Sequence, residues 1–316
     1  MSEPEPGLVE RLLRFDDRAL GRSISAIEAG DPQALATLRG LRARGGSARV
    51  VGVTGTPGSG KSTLVDALVA VMRAQGARVA VVAIDPSSPY SGGAILGDRI
   101  RMARWYADPH VFVRSMATRG HLGGLAAAAL QVVALLDAVG FDRILVETVG
   151  VGQSEVEVAR AADTTVVVLT PGQGDGVQAV KAGLLEIADV FVVNKADQPG
   201  AERLVNDLRG AIGLAEAPPA GAWIPPVLAT VASRGEGVAV LGGAIARHHA
   251  HLVARGGMPE VRRERVRAEV RALLTEAARR ALADIPDAAL DALVAGERDA
   301  DTIVAALLRR AGEATA

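Results

Sequence analysis

The strongest constraint on the fold is a glycine-rich turn that joins a short apolar strand to an amphipathic helix. Residues 49–54 are rich in valine, as buried strands are. Residues 61–75 place Leu64 and Leu68 on one helical face. The turn between them, residues 55–60, reads Gly-Thr-Pro-Gly-Ser-Gly. A strand, turn and helix in this order predict the first unit of an α/β domain with a parallel sheet.

The turn and the start of the helix fit the spacing G-x-x-x-x-G-K-[ST], which cradles phosphates. Glycines let successive backbone N–H groups point inward, and the helix adds its positive dipole end. Lys61 is predicted to reach phosphate oxygens, and the Ser62 hydroxyl to ligate Mg²⁺. The predicted phosphate-binding residues are Gly55, Pro57, Gly58, Ser59, Gly60, Lys61, Ser62 and Thr63.

A second motif follows the strand at residues 190–193, where the chain reads Asn194-Lys195-Ala-Asp197. The Asp197 carboxylate can accept hydrogen bonds from the ring N–H and the exocyclic amine of guanine, a donor pair that adenine lacks. Asn194 is expected to support the base and the loop, and the stem of Lys195 is expected to lie along the base plane. Ser233, in the loop at 230–233, is a weaker candidate for contact with the base.

Three carboxylates are candidates for the metal site. Glu147 ends the apolar strand at 143–146, where an acid beside a phosphate loop normally holds Mg²⁺ or its water. Asp85 ends another strand and Asp98 lies in the long loop beyond it; each is alternatively a turn carboxylate or helix N-cap. The predicted catalytic residues are Lys61, Asp98 and Glu147, and Gln153 is a candidate for orienting water.

Strand and helix signals alternate from residue 46 to about 245, which predicts an α/β, doubly wound, mostly parallel sheet. Residues 1–45 read as an N-terminal helical segment and 246–316 as a helical arm with long helices at 260–282 and 286–310. Such an arm commonly packs against a second copy of the chain. The alternative is that it folds back over its own sheet.

Composition excludes several classes of protein. Cysteine is absent, so disulfides and thiolate metal sites are excluded. A net charge of −1 argues against a nucleic-acid partner. The most apolar stretch, 122–140, contains glycines, Gln131 and Asp137 and is predicted to be a buried helix, not a membrane span. The acidic N-terminus predicts a cytoplasmic protein. The histidines at 248, 249 and 251 are predicted to lie on a solvated helix face and to bind no metal.

The chain resembles the SIMIBI class of P-loop GTPases and, within it, the MeaB/ArgK-type GTPases. These are chaperones of adenosylcobalamin-dependent acyl-CoA mutases such as methylmalonyl-CoA mutase. The match runs from about residue 50 to 200. It rests on Gly55–Thr63, Asp85–Ser88, Gly92–Asp98, Gly120–Gly124, Glu147–Glu155 and Asn194–Asp197, of which Glu147–Glu155 is the most specific.

The resemblance implies a Mg²⁺-dependent GTPase that binds GTP and GDP and hydrolyses GTP slowly when alone. It places Lys61 on phosphates, Ser62, Asp98 and Glu147 around Mg²⁺, and Asp85 near the metal. It also implies a homodimer through the C-terminal helices, a mutase partner, and contact with adenosylcobalamin only through that partner. The family's partner-sensing loop corresponds to residues 172–181, where Gly176 stands in place of an acid that many relatives carry, and 115–119 also differs from the common form.

Other readings of the same residues stay open. A metal-insertion GTPase for hydrogenase or urease needs soft or imidazole ligands near the nucleotide, and this chain has no cysteine. A kinase acting on a transport-binding protein would transfer phosphate to a side chain. A non-hydrolytic GTP-gated scaffold would not need Asp98 and Glu147. The client mutase and the direction in which GTP drives cofactor transfer are not specified by the sequence.

Overall fold

Seven parallel strands form one sheet in the computed structural model, which describes residues 7–85, 102–117, 122–148, 161–172, 186–214, 221–283 and 285–313. The order across the sheet is β3-β2-β4-β1-β5-β6-β7. The strands are β1 (Arg49–Gly55), β2 (Val79–Asp85), β3 (Val111–Ala117), β4 (Arg143–Thr148), β5 (Thr164–Leu169), β6 (Val190–Val193) and β7 (Val227–Ala229). The prediction of a doubly wound parallel sheet is confirmed.

Helices cover both faces of the sheet, and further helices precede β1 and follow β7 in the described chain. They are α1 (Leu8–Leu13), α2 (Asp17–Glu28), α3 (Pro32–Arg42), α4 (Lys61–Ala74), α5 (Leu122–Val139), α6 (Ala201–Leu214), α7 (Val238–Ala254), α8 (Met258–Ala283), α9 (Asp287–Val294) and α10 (Ala300–Glu313). Short 3-10 turns lie at Ala103–Trp105 and Ala232–Arg234. Within these described ranges no helix is long and apolar enough to cross a membrane.

The register of β1 decides where the site lies. β1 pairs in parallel with β4 on one side and with β5 on the other, so the strand order reverses there. Val53 lies opposite Glu147 in β4 and opposite Val166 in β5. In an open α/β sheet, ligands bind beyond the carboxyl ends of the strands at this reversal. The predicted phosphate loop follows β1 directly and therefore occupies that position.

Two apolar layers cover the sheet because its strands are buried on both faces. One layer joins β1, β2 and β4 to α2, α3 and α5, and it is dominated by aliphatic side chains. The other joins the same strands to α4 and α7, with Leu64, Leu68 and Leu241 fully buried. The stretch at 122–140 is the buried helix α5, as predicted.

The C-terminal arm differs from the prediction in one respect. The helix expected over 286–310 is two helices, α9 and α10. Gly296 adopts a left-handed φ of 73°, which ends α9. Asp299 then caps α10, because its Oδ1 accepts a 2.7 Å hydrogen bond from the amide of Thr302.

Helix α8 packs back on its own domain through charged residues. Nη2 of Arg42 in α3 donates to both carboxylate oxygens of Glu269, at 2.6 and 2.8 Å. Arg265 Nη2 lies 2.5 Å from Oδ1 of the buried Asp163, and Arg265 Nε donates to the carbonyl of Ala161. The three-segment division of the chain stays a prediction, and α7 runs across its second boundary.

His248 corrects the expectation of a solvated histidine face. Its side chain is buried, with Nδ1 3.0 Å from Thr164 Oγ1 and Nε2 3.4 Å from Asp189 Oδ1. The Trp223 ring lies 4.8 Å from the imidazole. His248 falls on the core face of α7, one turn after Ile245, which is also buried. Burial lowers the pKa of His248 to about 4.

Candidate nucleotide-binding site

The turn after β1 has the geometry of a phosphate loop, and two of its glycines cannot be replaced without displacing backbone or a buried side chain. Gly55 has a φ of 142°, and a Cβ there would lie 2.0 Å from the carbonyl oxygen of Val168 in β5. Gly60 has a φ of 87°, and a Cβ there would lie 2.5 Å from Asn194 Nδ2. The chain therefore turns tightly between two neighbouring elements, and α4 begins at once with Lys61.

Lys61 is buried and curls back over the turn. Its ammonium donates to the carbonyl of Gly55 at 3.0 Å and to the carbonyl of Thr56 at 2.9 Å. The side chain is only 5% exposed. A positive charge is thus held on the concave side of the loop, beside the first N–H groups of α4, which have no acceptor within the helix. This arrangement favours a polyanionic ligand.

Two loop hydroxyls support the same conclusion. Thr56 Oγ1 and Ser59 Oγ are buried and have no hydrogen-bond partner within the described ranges. Ser59 is fully buried. Buried polar groups are nearly always hydrogen-bonded in a folded protein. The loop therefore fits a phosphate group, whose oxygens would accept from these hydroxyls.

Ser62 and Glu147 meet at the floor of the site. Ser62 Oγ donates a 2.6 Å hydrogen bond to Glu147 Oε1, and both side chains are buried. The contact joins the first turn of α4 to the end of β4. A hydroxyl and a carboxylate are hard oxygen ligands of the kind that Mg²⁺ prefers. These two residues therefore fit a magnesium ion beside the phosphate loop.

Asn194 connects the phosphate loop to the loop after β7. Its Nδ2 donates to the carbonyl of Ser59 at 2.8 Å. Its Oδ1 accepts from the Thr230 hydroxyl and from the amide of Ala232, each at 3.1 Å. All three of these hydrogen bonds are buried. Asn194 therefore uses its side chain to fix two loops relative to each other.

Lys195 and Asp197 lie at the outer part of the site. Lys195 has a φ of 56°, unusual for a residue other than glycine, and its ammonium donates to the carbonyl of Gly58 at 2.8 Å. The Lys195 stem therefore lies across the mouth of the phosphate loop. Asp197 is half exposed, and its Oδ2 lies 3.2 Å from Nη2 of Arg234. Its carboxylate is open to a ligand on the solvent side.

Other predicted residues fall partly outside the description. Asp98 and Gln153 lie outside the described residues. The backbone of Asp85 ends β2 opposite Ala117 of β3, as the strand prediction requires. Ser233 is exposed in the 3-10 turn. The predicted roles of all these residues stay predictions.

Sequence reasoning named the loop at 230–233 after β7 but gave Thr230 and Ala232 no role in it, and it missed Arg234. Thr230 and Ala232 hold Asn194, and Arg234 contacts Asp197. The loop itself was predicted, but Ser233 was singled out within it. The sequence signal for its conformation is the pair of glycines that follows, Gly235 and Gly237, both with positive φ.

A protein-family model described as the methylmalonyl-CoA mutase-associated GTPase MeaB matches residues 20–286. The chain belongs to this MeaB family. The matched range covers every element of the sheet and the residues of the site just described. The chain is accordingly a P-loop GTPase.

Named relatives agree with membership of the MeaB family. The chain is 47% identical to a putative GTPase of Pyrococcus horikoshii over 86% of each chain. It is 44% identical to the GTPase ArgK of Escherichia coli, over 59% of this chain and 58% of that one. A crystal structure titled as an LAO/AO transport system kinase superposes with a TM-score of 0.69 at 26% identity, and covers 98% of this chain and 99% of that one.

Proposed function

We propose that the chain binds GTP with Mg²⁺ in the cleft between the phosphate loop and Asp197, and hydrolyses it there. The observation that carries this is the joint arrangement of Lys61, Ser62 and Glu147 around the turn after β1. Lys61 would exchange its two carbonyl acceptors for β- and γ-phosphate oxygens. Backbone N–H groups of residues 58–63 would hold the phosphates in place.

Ser62 and Glu147 would hold the magnesium ion, together with Asp98 and, close by, Asp85. Held there, Mg²⁺ would offset the negative charge that develops on the phosphate oxygens during transfer. Glu147 is positioned for this by its contact with Ser62. Burial in a low-dielectric floor strengthens each of these electrostatic contacts.

Guanine recognition is assigned to Asp197, with Asn194 and Lys195 shaping its loop. Asp197 would accept from the ring N–H and the amine of the base. Asn194 would hold the base pocket in place through its three contacts with the two loops. Lys195 would cover one face of the ring with its stem.

We further propose that this GTPase serves an adenosylcobalamin-dependent acyl-CoA mutase, gates loading or removal of its cofactor, and protects it from inactivation. Support comes from the family description, which names a mutase-associated GTPase. A second relative points the same way: the chain is 39% identical over 191 residues to a mouse mitochondrial protein named as a methylmalonic aciduria type A homologue. Adenosylcobalamin would then be met only through the partner.

A homodimer through the C-terminal helices is part of this proposal. The inward face of α8 carries Arg265, Glu269, Ala272 and Glu276, which are buried or nearly so. Its outward side exposes four apolar side chains among charged ones: Val266, Val270, Leu273 and Leu274 are between 42% and 65% accessible. Exposed apolar surface of this kind marks a protein interface, and a second copy would cover it. Replacement of Val270 and Leu274 by glutamate should then give a monomer in sedimentation analysis.

The deciding experiment measures GTP hydrolysis by the purified protein with and without candidate cobalamin mutases, beside Lys61→Ala. Stimulation by one mutase that is lost in the variant would support the proposal and name the client. A rate that no mutase changes would remove the chaperone part and leave the GTPase.

A protein kinase is the second candidate, because the solved neighbour is titled as a transport system kinase. Hydrolysis and protein phosphorylation are separated by GTP labelled at the γ-phosphate. Label recovered as free phosphate supports the GTPase, and label retained on a protein side chain supports the kinase.

A further inference from the structure

Arg234 lies beside the Asp197 carboxylate that is proposed to read the base. We propose that Arg234 is a positioning residue for guanine specificity, which acts by fixing the orientation of the Asp197 carboxylate. The inference rests on the proposed function, in which Asp197 reads the base. It assigns to Arg234 a part in choosing guanine, not in the chemistry of hydrolysis.

The guanidinium of Arg234 bridges two carboxylates. Arg234 Nη2 lies 3.2 Å from Asp197 Oδ2, and Arg234 Nε lies 3.0 Å from Glu236 Oε1. Because the guanidinium is planar and rigid, contact at two of its nitrogens restricts its rotation. The Asp197 carboxylate therefore contacts a guanidinium whose own position is restrained by Glu236.

The backbone that carries Arg234 is a closed turn. The amide of Arg234 donates to the carbonyl of Val231 at 2.9 Å, and the amide of Val231 donates to the carbonyl of Glu236 at 3.0 Å. Gly235 supplies the left-handed φ of 72° that reverses the chain between them. The turn is also tied to Asn194 through the amide of Ala232. Arg234 therefore projects from a backbone fixed to the same frame as the phosphate loop.

Contact with Arg234 leaves Asp197 free to read a base. A carboxylate offers about four lone-pair sites. Arg234 contacts Oδ2, which leaves Oδ1 and the second lone pair of Oδ2 for a ligand, and the Asp197 side chain is 46% exposed. Guanine needs two acceptors that lie in one plane, and a half-exposed aspartate with no fixed neighbour would rotate about its terminal bond. Arg234 restricts that rotation in advance, which lowers the entropic cost of binding guanine.

Inosine diphosphate separates this role from stacking. Hypoxanthine keeps the ring N–H of guanine and lacks the exocyclic amine, so it makes one of the two hydrogen bonds to Asp197. Loss of carboxylate orientation should weaken GDP more than IDP. Loss of a stacking contact would weaken the two nucleotides equally, because their ring faces are alike.

The test measures the dissociation constants of fluorescent GDP and IDP for the full chain and for Arg234→Met, which keeps the stem and removes the charge. GDP should bind about fivefold more weakly and IDP about twofold, in line with the modest strength of exposed ion pairs. Arg263→Met, which removes an exposed arginine paired with Glu260 on α8, is the matched control and should leave both constants unchanged. An unchanged GDP/IDP ratio in Arg234→Met overturns the proposal.

A double-mutant cycle with Asp197→Asn shows whether Arg234 acts through Asp197. In the Asp197→Asn background, Arg234→Met should cause no further change in the GDP/IDP ratio. High salt should reduce the preference for GDP over IDP in the unmodified chain and not in Arg234→Met, because exposed charge pairs are screened. If Asp197→Asn itself leaves the ratio unchanged, the proposed base site fails. If only the Arg234 effects are missing, the base site stands and this inference fails.

Discussion

Ser62 Oγ donates a 2.6 Å hydrogen bond to Oε1 of Glu147, so the first turn of α4 and the end of β4 are joined at the floor of the nucleotide cleft. The two residues are far apart in sequence, and the register of β4 beside β1 brings them together. A short hydroxyl–carboxylate contact holds both oxygen ligands at one place. We expect this preorganisation to control magnesium affinity.

The first prediction concerns this pair. Glu147→Gln keeps the shape of the side chain and removes its charge. It should therefore raise the Mg²⁺ concentration that GTP hydrolysis needs and lower kcat about 10²-fold. Ser62→Thr keeps the hydroxyl and should remain active, whereas Ser62→Ala should resemble Glu147→Gln. The measurement is the Mg²⁺ dependence of phosphate release. An unaltered Mg²⁺ dependence in Glu147→Gln would remove Glu147 from the metal site.

A second prediction follows from the three contacts of Asn194. Asn194→Ala removes all three buried hydrogen bonds, so it should lower the free energy of unfolding by about 2–3 kcal/mol and weaken GDP binding at the same time. Thr230→Val removes only one of them and should cost about 1 kcal/mol. Urea denaturation and GDP titration measure the two effects. Full stability in Asn194→Ala would contradict the proposed bridging role.

The part of the molecule that the sequence predicts well is the part set by local pattern. Strand ends, the glycine turn and α5 follow from side-chain periodicity and from the φ values that glycine alone tolerates easily. Local pattern also held one signal that was misread: His248 follows Leu241 and Ile245 at helical spacing, which places it on the core face of α7.

Pairings between distant charges could not be predicted in the same way. The chain has 35 Lys and Arg and 36 Asp and Glu, and nothing in their spacing selects Arg234 for Asp197 or Arg265 for Asp163. These contacts exist only after the sheet and its helices are assembled. The break between α9 and α10 was missed for a different reason: a single glycine such as Gly296 also occurs inside continuous helices, so it does not by itself predict a helix end.

The third prediction uses Arg265, which attaches α8 to the sheet. Arg265→Met leaves the buried Asp163 carboxylate with the amide of Val50 as its described remaining contact, at 2.8 Å. The free energy of unfolding should fall by about 2–4 kcal/mol at neutral pH. Arg263→Met, on the exposed side of the same helix, should change it by less than about 0.5 kcal/mol. Equal urea midpoints for the two variants would show that the α8 attachment does not depend on this ion pair.

The last prediction concerns pH and the contact between the buried His248 and the partly buried Asp189. Burial raises the pKa of Asp189 to about 6, against the opposing effect of the Thr165 amide that donates to it. Burial, with the charges of His251 and His249, lowers the pKa of His248 to about 4. The unfolded chain would titrate these groups near 3.8 and 6.5.

The signs of the two effects are opposite. As pH falls from about 6.5 to 4, the unfolded state takes up a proton on histidine that the folded state refuses, so His248 lowers stability. As pH falls from about 6 to 3.8, the folded state takes up a proton on Asp189 before the unfolded state does, so Asp189 raises stability. Across about pH 4 to 6 the two contributions therefore largely cancel.

Asp189→Asn removes the compensating half of the pair. Relative to the unmodified chain, the variant should lose about 1–2 kcal/mol of stability between pH 6.5 and 4.5, since one pKa unit corresponds to about 1.4 kcal/mol and the site is partly solvated. Asp207→Asn, which alters an exposed carboxylate on α6, should follow the unmodified chain. Urea denaturation at a series of pH values gives the comparison. Parallel stability profiles for Asp189→Asn and the unmodified chain would show that the two groups do not titrate as their burial requires.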